Sequence, residues 1–233
     1  LCYSNHIQMT NTRKSTIIVA GGKGERMQTD IPKQFLELNG KPVLMHTLDT
    51  FRNYDPEMEL ILVLPSSQIE YWNALCKKHA FSAPHKIAEG GSTRFHSVKN
   101  GLVAVHSAAY IAIHDGVRPL VNHQAINDCF AEACISGAAI PVVDAVDSLR
   151  KITENGNMAV DRSLYKMVQT PQVFEAGLII EAYDQDFSET FTDDASVVEA
   201  FGHKVSLVAG NRENIKITTQ IDMLLAEAIL KSR

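Results

Sequence analysis

The chain has 233 residues, 45% hydrophobic and 21% charged, and 22 Lys+Arg against 27 Asp+Glu leave a formal net charge of −5. That suits one sizeable α/β core and excludes disorder, collagen and a disulfide scaffold. The mildly acidic balance argues against a dedicated nucleic-acid binder, and no run approaches the roughly 18 apolar residues of a membrane helix, so neither nucleic acid nor membrane is an expected partner.

Residues 1–14 are polar, lack the apolar stretch of a secretory leader, and read as a tail ahead of one domain over 15–233. Cys2, Cys76, Cys129 and Cys134 fall in no metal-binding spacing, and a reducing cytoplasm is their simplest location. Short β-branched runs predict strands at 15–20, 59–64, 110–114, 138–143 and 204–208. Helical patterns fill the gaps at 43–53, 68–79, 92–106, 122–136, 175–187, 193–200 and 219–231. This alternation predicts a three-layer α/β/α sandwich around a mostly parallel, twisted sheet. Residues 144–168 break the rhythm, and Asn155-Gly156 between short runs is a hairpin signal, so a protruding β-arm is expected there. An isolated hairpin has exposed edges and little core, which predicts a homodimer.

The strongest chemical signal follows the first strand: Ala20-Gly21-Gly22-Lys23-Gly24-Glu25-Arg26-Met27, then Pro32-Lys33-Gln34. A glycine turn between strand and helix brings backbone N–H groups close to phosphate oxygens, and Arg26 and Lys33 add cations. The dinucleotide fingerprint fails for want of its third glycine, which disfavours a nicotinamide-dependent oxidoreductase. The Walker loop fails because Gly24 precedes Glu25 rather than Lys-Ser/Thr. Asp115 ends a buried strand at the edge where open α/β sheets bind ligands, and it is equally placed to cap a loop. His114 reads as a packed strand-end residue rather than a base. Arg94 stands in the first turn of its helix against the dipole preference, which points to a role beyond helix stability. Asp193 and Asp194 read as first-turn residues that complement their helix dipole.

These motifs carry a resemblance. The glycine loop with Pro32-Lys33-Gln34-Phe35, Glu89 to Arg94 with Ser97, His114 to Pro119, Val160-Asp161-Arg162, Gln169 to Gln172, Thr192 to Ser196 and Glu213 to Thr218 together closely resemble the 2-C-methyl-D-erythritol 4-phosphate cytidylyltransferase family. The likeness runs from about Ser15 to Leu230 and implies a Rossmann-like nucleotidyltransferase fold, with CTP and a sugar-alcohol phosphate as ligands. It implies Mg²⁺ placed by Asp115, since triphosphate chemistry recruits a hard cation through phosphate oxygens and one or two carboxylates. It implies catalytic roles for Arg26, Lys33 and Lys216, the last read at the end of a strand near 215–218. It implies CTP contacts at Ala20, Gly21, Gly22, Gly24, Gly91, Ser92, Arg94 and Ser97, and substrate contacts at Asp115, Arg118, Arg162, Thr170 and Thr192. In the family the arginine matching Arg162 reaches the substrate phosphate across a dimer interface, a task its planar guanidinium suits. One departure stands out: Ala145 occupies the position of a family threonine that touches substrate phosphate, leaving either Ser148 as a substitute or a different substrate selection. Ribitol-5-phosphate cytidylyltransferase, and a non-catalytic nucleotide-binding module, are the alternatives.

Overall fold

Alternation of apolar side chains along the strands gives the central sheet two buried faces. In β1 (Lys14–Val19), Ile17 packs with one helical layer and Ile18 with the other. Strand β4 (Glu59–Leu64) repeats the pattern, Ile61 and Val63 facing one way and Leu60, Leu62 and Leu64 the opposite way. The computed structural model describes residues 13–21 and 31–232, so Gly22, Gly24, Arg26 and nearly all of the tail lie outside the described residues.

After β1 the described chain makes a 3-10 turn (Lys33–Phe35), the small ribbon β2 (Glu37–Leu38) and β3 (Lys41–Pro42), and α1 (Val43–Tyr54). Then come β4, α2 (Ser66–Lys78), β5 (Lys86–Glu89), α3 (Arg94–Ala104), β6 (Tyr110–Asp115), α4 (His123–Ser136) and β7 (Ala138–Asp144). The arm hairpin β8 (Arg150–Thr153) and β9 (Gly156–Ala159) leads to β10 (Lys166–Val168), β11 (Gln172–Glu175), α5 (Ala176–Ala182), α6 (Asp194–Ala200), β12 (Ser206–Ala209) and α7 (Gln220–Lys231). The sheet runs β12, β7, then β11 with β10 end to end, followed by β6, β1, β4 and β5. Within this sheet, among the described residues, only β10 and β11 run antiparallel to the strands beside them. Helices α1, α2 and α4 bury Leu48, Trp72 and Phe130 on one face, while α3, α5 and α6 bury Phe95, Ile179 and Val198 on the other. The expected three-layer sandwich is therefore present. Among the described residues no helix is long and apolar enough to cross a membrane.

Three expectations need correction. The helix expected over 175–187 stops at Ala182, because the buried Tyr183 ring stacks on Phe95 and the Gln185 amide donates to the Ala182 carbonyl at 2.8 Å. The segment around 215–218 is no strand; it is tied down locally, with Ile217 N–H donating to Val117 O at 2.9 Å. The arm hairpin turns at Glu154 and Asn155, one residue earlier than the Asn-Gly pair suggests, since Thr153 pairs with Gly156. The hairpin itself is fully exposed, with Ile152 and Met158 bare.

Candidate active site

Strands β1, β4, β5 and β6 end together, and the loops leaving their C-terminal ends enclose a cavity of about 290 Å³. Its walls include Ala20 and Gly21 after β1, Lys33 on the 3-10 turn, the turn from Gly90 to Ser97, and Asp115 and Lys216. Sequence chemistry shapes each wall. The Gly90 N–H donates to Leu64 O at 2.7 Å, and the Gly91 N–H donates to Ser97 Oγ at 3.0 Å. Ser97 in turn donates to Thr93 O at 2.9 Å, so it is a buried tie holding the turn rather than a helix-surface hydroxyl. A Cβ on Gly91 would fall 2.3 Å from that of His96, which makes glycine the residue that fits. Gln34, not foreseen as a site residue, is fully buried and donates to Ala20 O at 2.9 Å and to Gln68 Oε1 at 2.7 Å, fixing the exit of β1.

A second cavity of about 280 Å³ abuts the first and is lined by Arg118, Thr170, Gln172, Thr192 and Asp193. Arg94, Asp115 and Lys216 belong to both and form the wall between them. Asp115 is the hub of that wall. Its Oδ2 meets Lys216 Nζ at 3.1 Å and Arg118 Nε at 3.1 Å, while Arg94 Nε lies 3.9 Å from Oδ1. Burial alone would raise the Asp115 pKa, but Lys216, Arg94 and Arg118 hold it far below the usual carboxylate range. Arg118 also donates to Asn214 O at 2.7 Å, so it braces the Lys216 segment while facing the cavity.

His114 lies beneath this wall, fully buried, its pKa lowered to about 4 by desolvation. Its Nε2 is 3.0 Å from Arg118 O and its Nδ1 3.0 Å from Thr170 Oγ1. A carbonyl can only accept, so Nε2 carries the proton and the Thr170 hydroxyl donates to Nδ1. Thr170 Oγ1 also accepts from the Asp115 N–H at 3.1 Å. His114 is thus a packing and orienting residue, as the sequence suggested.

The structure brings Ala20, Gly21, Lys33, Gly91, Ser92, Arg94, Ser97, Asp115 and Lys216 to the first cavity, and Arg118, Thr170 and Thr192 to the second. Arg162 lines neither; it is exposed in a 3-10 turn of the arm and donates to Val146 O. Ala145, at the root of the arm, is half-buried and Ser148 exposed. Asp193 is the N-cap of α6 in a capping box with Ser196, and Asp194 follows in its first turn. What the sequence did not disclose is that Asp194 pairs with Arg94, 100 residues away.

The donor set suits a hard cation only in company with phosphate. Among the described residues no group of three or more His, Cys, Asp or Glu could hold a metal, but Asp115 Oδ1 accepts no hydrogen bond there and offers one carboxylate oxygen. That matches Mg²⁺ held through one carboxylate plus substrate phosphates.

Residues 15–232 match the family model described as IspD: 2-C-methyl-D-erythritol 4-phosphate cytidylyltransferase. The chain is 55% identical over 217 residues to the enzyme of that name from Bacteroides fragilis, covering 93% of this chain and 99% of the relative. It is 56% identical over 218 residues to the one from Bacteroides thetaiotaomicron, covering 94% and 100%. Among solved structures, 4-diphosphocytidyl-2C-methyl-D-erythritol synthase from Anaerococcus prevotii superposes with a TM-score of 0.80 at 30% identity, covering 94% of this chain and 99% of that one.

Proposed function

The chain belongs to the 2-C-methyl-D-erythritol 4-phosphate cytidylyltransferase family, and from that premise we propose how its residues carry the reaction. The enzyme transfers the CMP group of CTP to 2-C-methyl-D-erythritol 4-phosphate, releasing pyrophosphate and 4-diphosphocytidyl-2-C-methyl-D-erythritol, a step of non-mevalonate isoprenoid synthesis. A phosphate oxygen of the alditol phosphate forms a bond to the α-phosphorus while the bond to the pyrophosphate oxygen breaks. Both reactants are anionic, so the protein must neutralise charge and hold them in line. No covalent nucleophile and no base is required.

One observation carries the assignment of roles: two cavities meet at a wall built from Arg94, Asp115 and Lys216. CTP occupies the first cavity, its base against the Gly91 to Ser97 turn and its phosphates toward Ala20, Gly21 and Lys33. Gly22, Gly24 and Arg26, which follow Gly21 in the sequence, are assigned to the triphosphate as donors and charge. The alditol phosphate occupies the second cavity between Arg118, Thr170 and Thr192. Lys216, at the shared wall, faces both phosphate groups at the reacting centre. Asp115, together with phosphate oxygens of the substrate, would hold Mg²⁺, which would supply neutralisation of the triphosphate charge. The exposed arm, with Ile152, Met158 and Leu164 bare, supports a homodimer in which Arg162 reaches the partner's second cavity. A reducing cytoplasm suits Cys76, Cys129 and Cys134, which are unpaired thiols.

The test is pyrophosphate release from CTP with 2-C-methyl-D-erythritol 4-phosphate and, separately, with ribitol 5-phosphate. Turnover of the first supports the reading. Turnover of the second alone transfers the enzyme to the ribitol reaction, with Ala145 as the first position to examine.

A further inference from the structure

Arg94 opens α3, where a cation opposes the helix dipole, and its guanidinium is bound in a bidentate fork by Asp194, Nη1 to Oδ1 at 2.7 Å and Nη2 to Oδ2 at 2.6 Å. Asp194 opens α6 and is wholly buried. Its Oδ1 also accepts from the Tyr183 hydroxyl at 2.6 Å. Tyr183 caps the end of α5 and is itself immobilised, its ring stacked on Phe95 at 4.7 Å between centroids. Burial and the Asp194 charge raise the Tyr183 pKa, so the hydroxyl stays a donor. Three helix ends therefore converge on one guanidinium.

The fork leaves the Arg94 Nε–H edge facing Asp115, and the side chain lines both cavities. We propose that Asp194, with Tyr183 behind it, is a positioning residue of the cytidylyl transfer: it fixes Arg94 in the wall between the two anionic substrates. This rests on the reaction assigned above. Asp194 touches no substrate, and its effect passes through Arg94. Because the two Nη atoms are already paired, Arg94 cannot swing out to follow one phosphate group. Its charge stays on the boundary, where both phosphates approach. Thr192 and Asp193, immediately before Asp194, line the second cavity, so the same helix start also shapes the alditol side.

The experiment compares Asp194→Asn, Arg94→Met, the double variant and Tyr183→Phe with the parent enzyme, with kcat expressed per folded molecule from circular dichroism. A displacement of about 1 Å at a reacting centre costs about a hundredfold in rate. Asp194→Asn, which keeps the shape but turns an amide N–H₂ toward the guanidinium, is expected to lower kcat by about that factor with the KM for CTP within a few-fold. The double variant should fall no further than Arg94→Met, because residues acting as a unit are not additive. Tyr183→Phe keeps every charge and should lose severalfold in kcat; it decides the matter where Asp194→Asn is too unstable to assay. A parental kcat in folded Asp194→Asn, or additive losses in the double variant, overturns the proposal. A parent inactive on both alditol phosphates sinks the assigned reaction and this proposal with it, whereas an active parent with indifferent variants sinks this proposal alone.

Discussion

Lys216 and Asp115 meet at 3.1 Å on the wall shared by the two cavities, yet their surroundings differ sharply: the lysine side chain is 44% exposed and the carboxylate 11%. That contrast separates chemistry from stability. In the proposed reaction, removing Lys216 deletes a cation beside the reacting phosphates, while Asp115 keeps Arg118 and Arg94 as partners. Lys216→Ala is expected to lower kcat by about a hundredfold or more and to change stability by less than about 1 kcal/mol. Removing Asp115 instead takes from Arg118 its carboxylate partner and leaves it, Arg94 and Lys216 crowded around the gap with their common counter-charge gone, so Asp115→Ala should cost several kcal/mol, as breaking a buried pair does. The sign follows from the lowered folded pKa: the Asp115 contribution is complete above the unfolded carboxylate value of about 4 and is lost as pH falls below it. Denaturant unfolding of parent and variants from about pH 7 down to about pH 3 checks both statements; equal losses of stability in the two variants would contradict them.

Lys33 follows the same reasoning from a different element. It opens the 3-10 turn that also carries buried Gln34 and Phe35, and those two side chains anchor the turn in the core. Lys33→Ala should cut turnover by orders of magnitude, as loss of a phosphate-facing cation does, while the melting temperature barely moves. Steady-state kinetics beside a thermal scan distinguishes this from an unfolded variant; an unchanged rate removes Lys33 from the reaction.

His114 gives a pH dependence of stability without one of chemistry. Desolvation lowers its folded pKa to about 4, against about 6.5 unfolded. The unfolded chain therefore binds more protons between those values, and stability drops as pH falls through that window. Linkage puts the loss at about 2 kcal/mol between about pH 7 and about pH 5. In His114→Phe that increment should vanish from the difference between denaturation curves at the two pH values. The pH profile of kcat in the parent should show no ionisation assignable to His114, and a kcat falling with a pKa near 4 would restore it as an acid or base.

How far the sequence revealed this site depends on distance along the chain. A short, continuous apolar run located β4 at the residues expected, and Asn122 and Gly137 bracket α4 as N-cap and left-handed C-cap. Site residues adjacent to foreseen strand ends, such as Ala20 and Asp115, are readable because a strand end fixes its side of the sheet, whereas Gly91 is readable only as a turn before a helix and through the family resemblance. The pattern carries no strand direction, so the antiparallel β10 and β11 between two parallel strands were not foreseen. Strand β5 has only Ile87 and Ala88 as apolar residues, too few to stand out. Ile215 and Ile217 imitate a strand, but the polar groups of Asn211, Asn214 and Gln169 tie that segment to the cavity instead, Asn214 Nδ2 donating to Thr170 O at 2.8 Å. The pairing of Arg94 with Asp194 joins two helix starts that no local pattern relates.

Arg162 supplies the prediction that reaches beyond one chain. It lies on an arm whose Ile152, Met158 and Leu164 are bare, and it lines neither cavity of its own protomer. If it serves the partner's site, a composite site needs Lys216 from one protomer and Arg162 from the other. Each of Arg162→Ala and Lys216→Ala alone should be nearly inactive as a homodimer. Refolding equal amounts of the two together makes about half the molecules heterodimers, each with one site holding both residues and one holding neither, so about a quarter of the parental activity should return. Sedimentation should show the parent as a dimer. No recovery on mixing, with dimers present, places Arg162 in the site of its own protomer or outside the reaction, and a monomeric parent removes the exchange altogether.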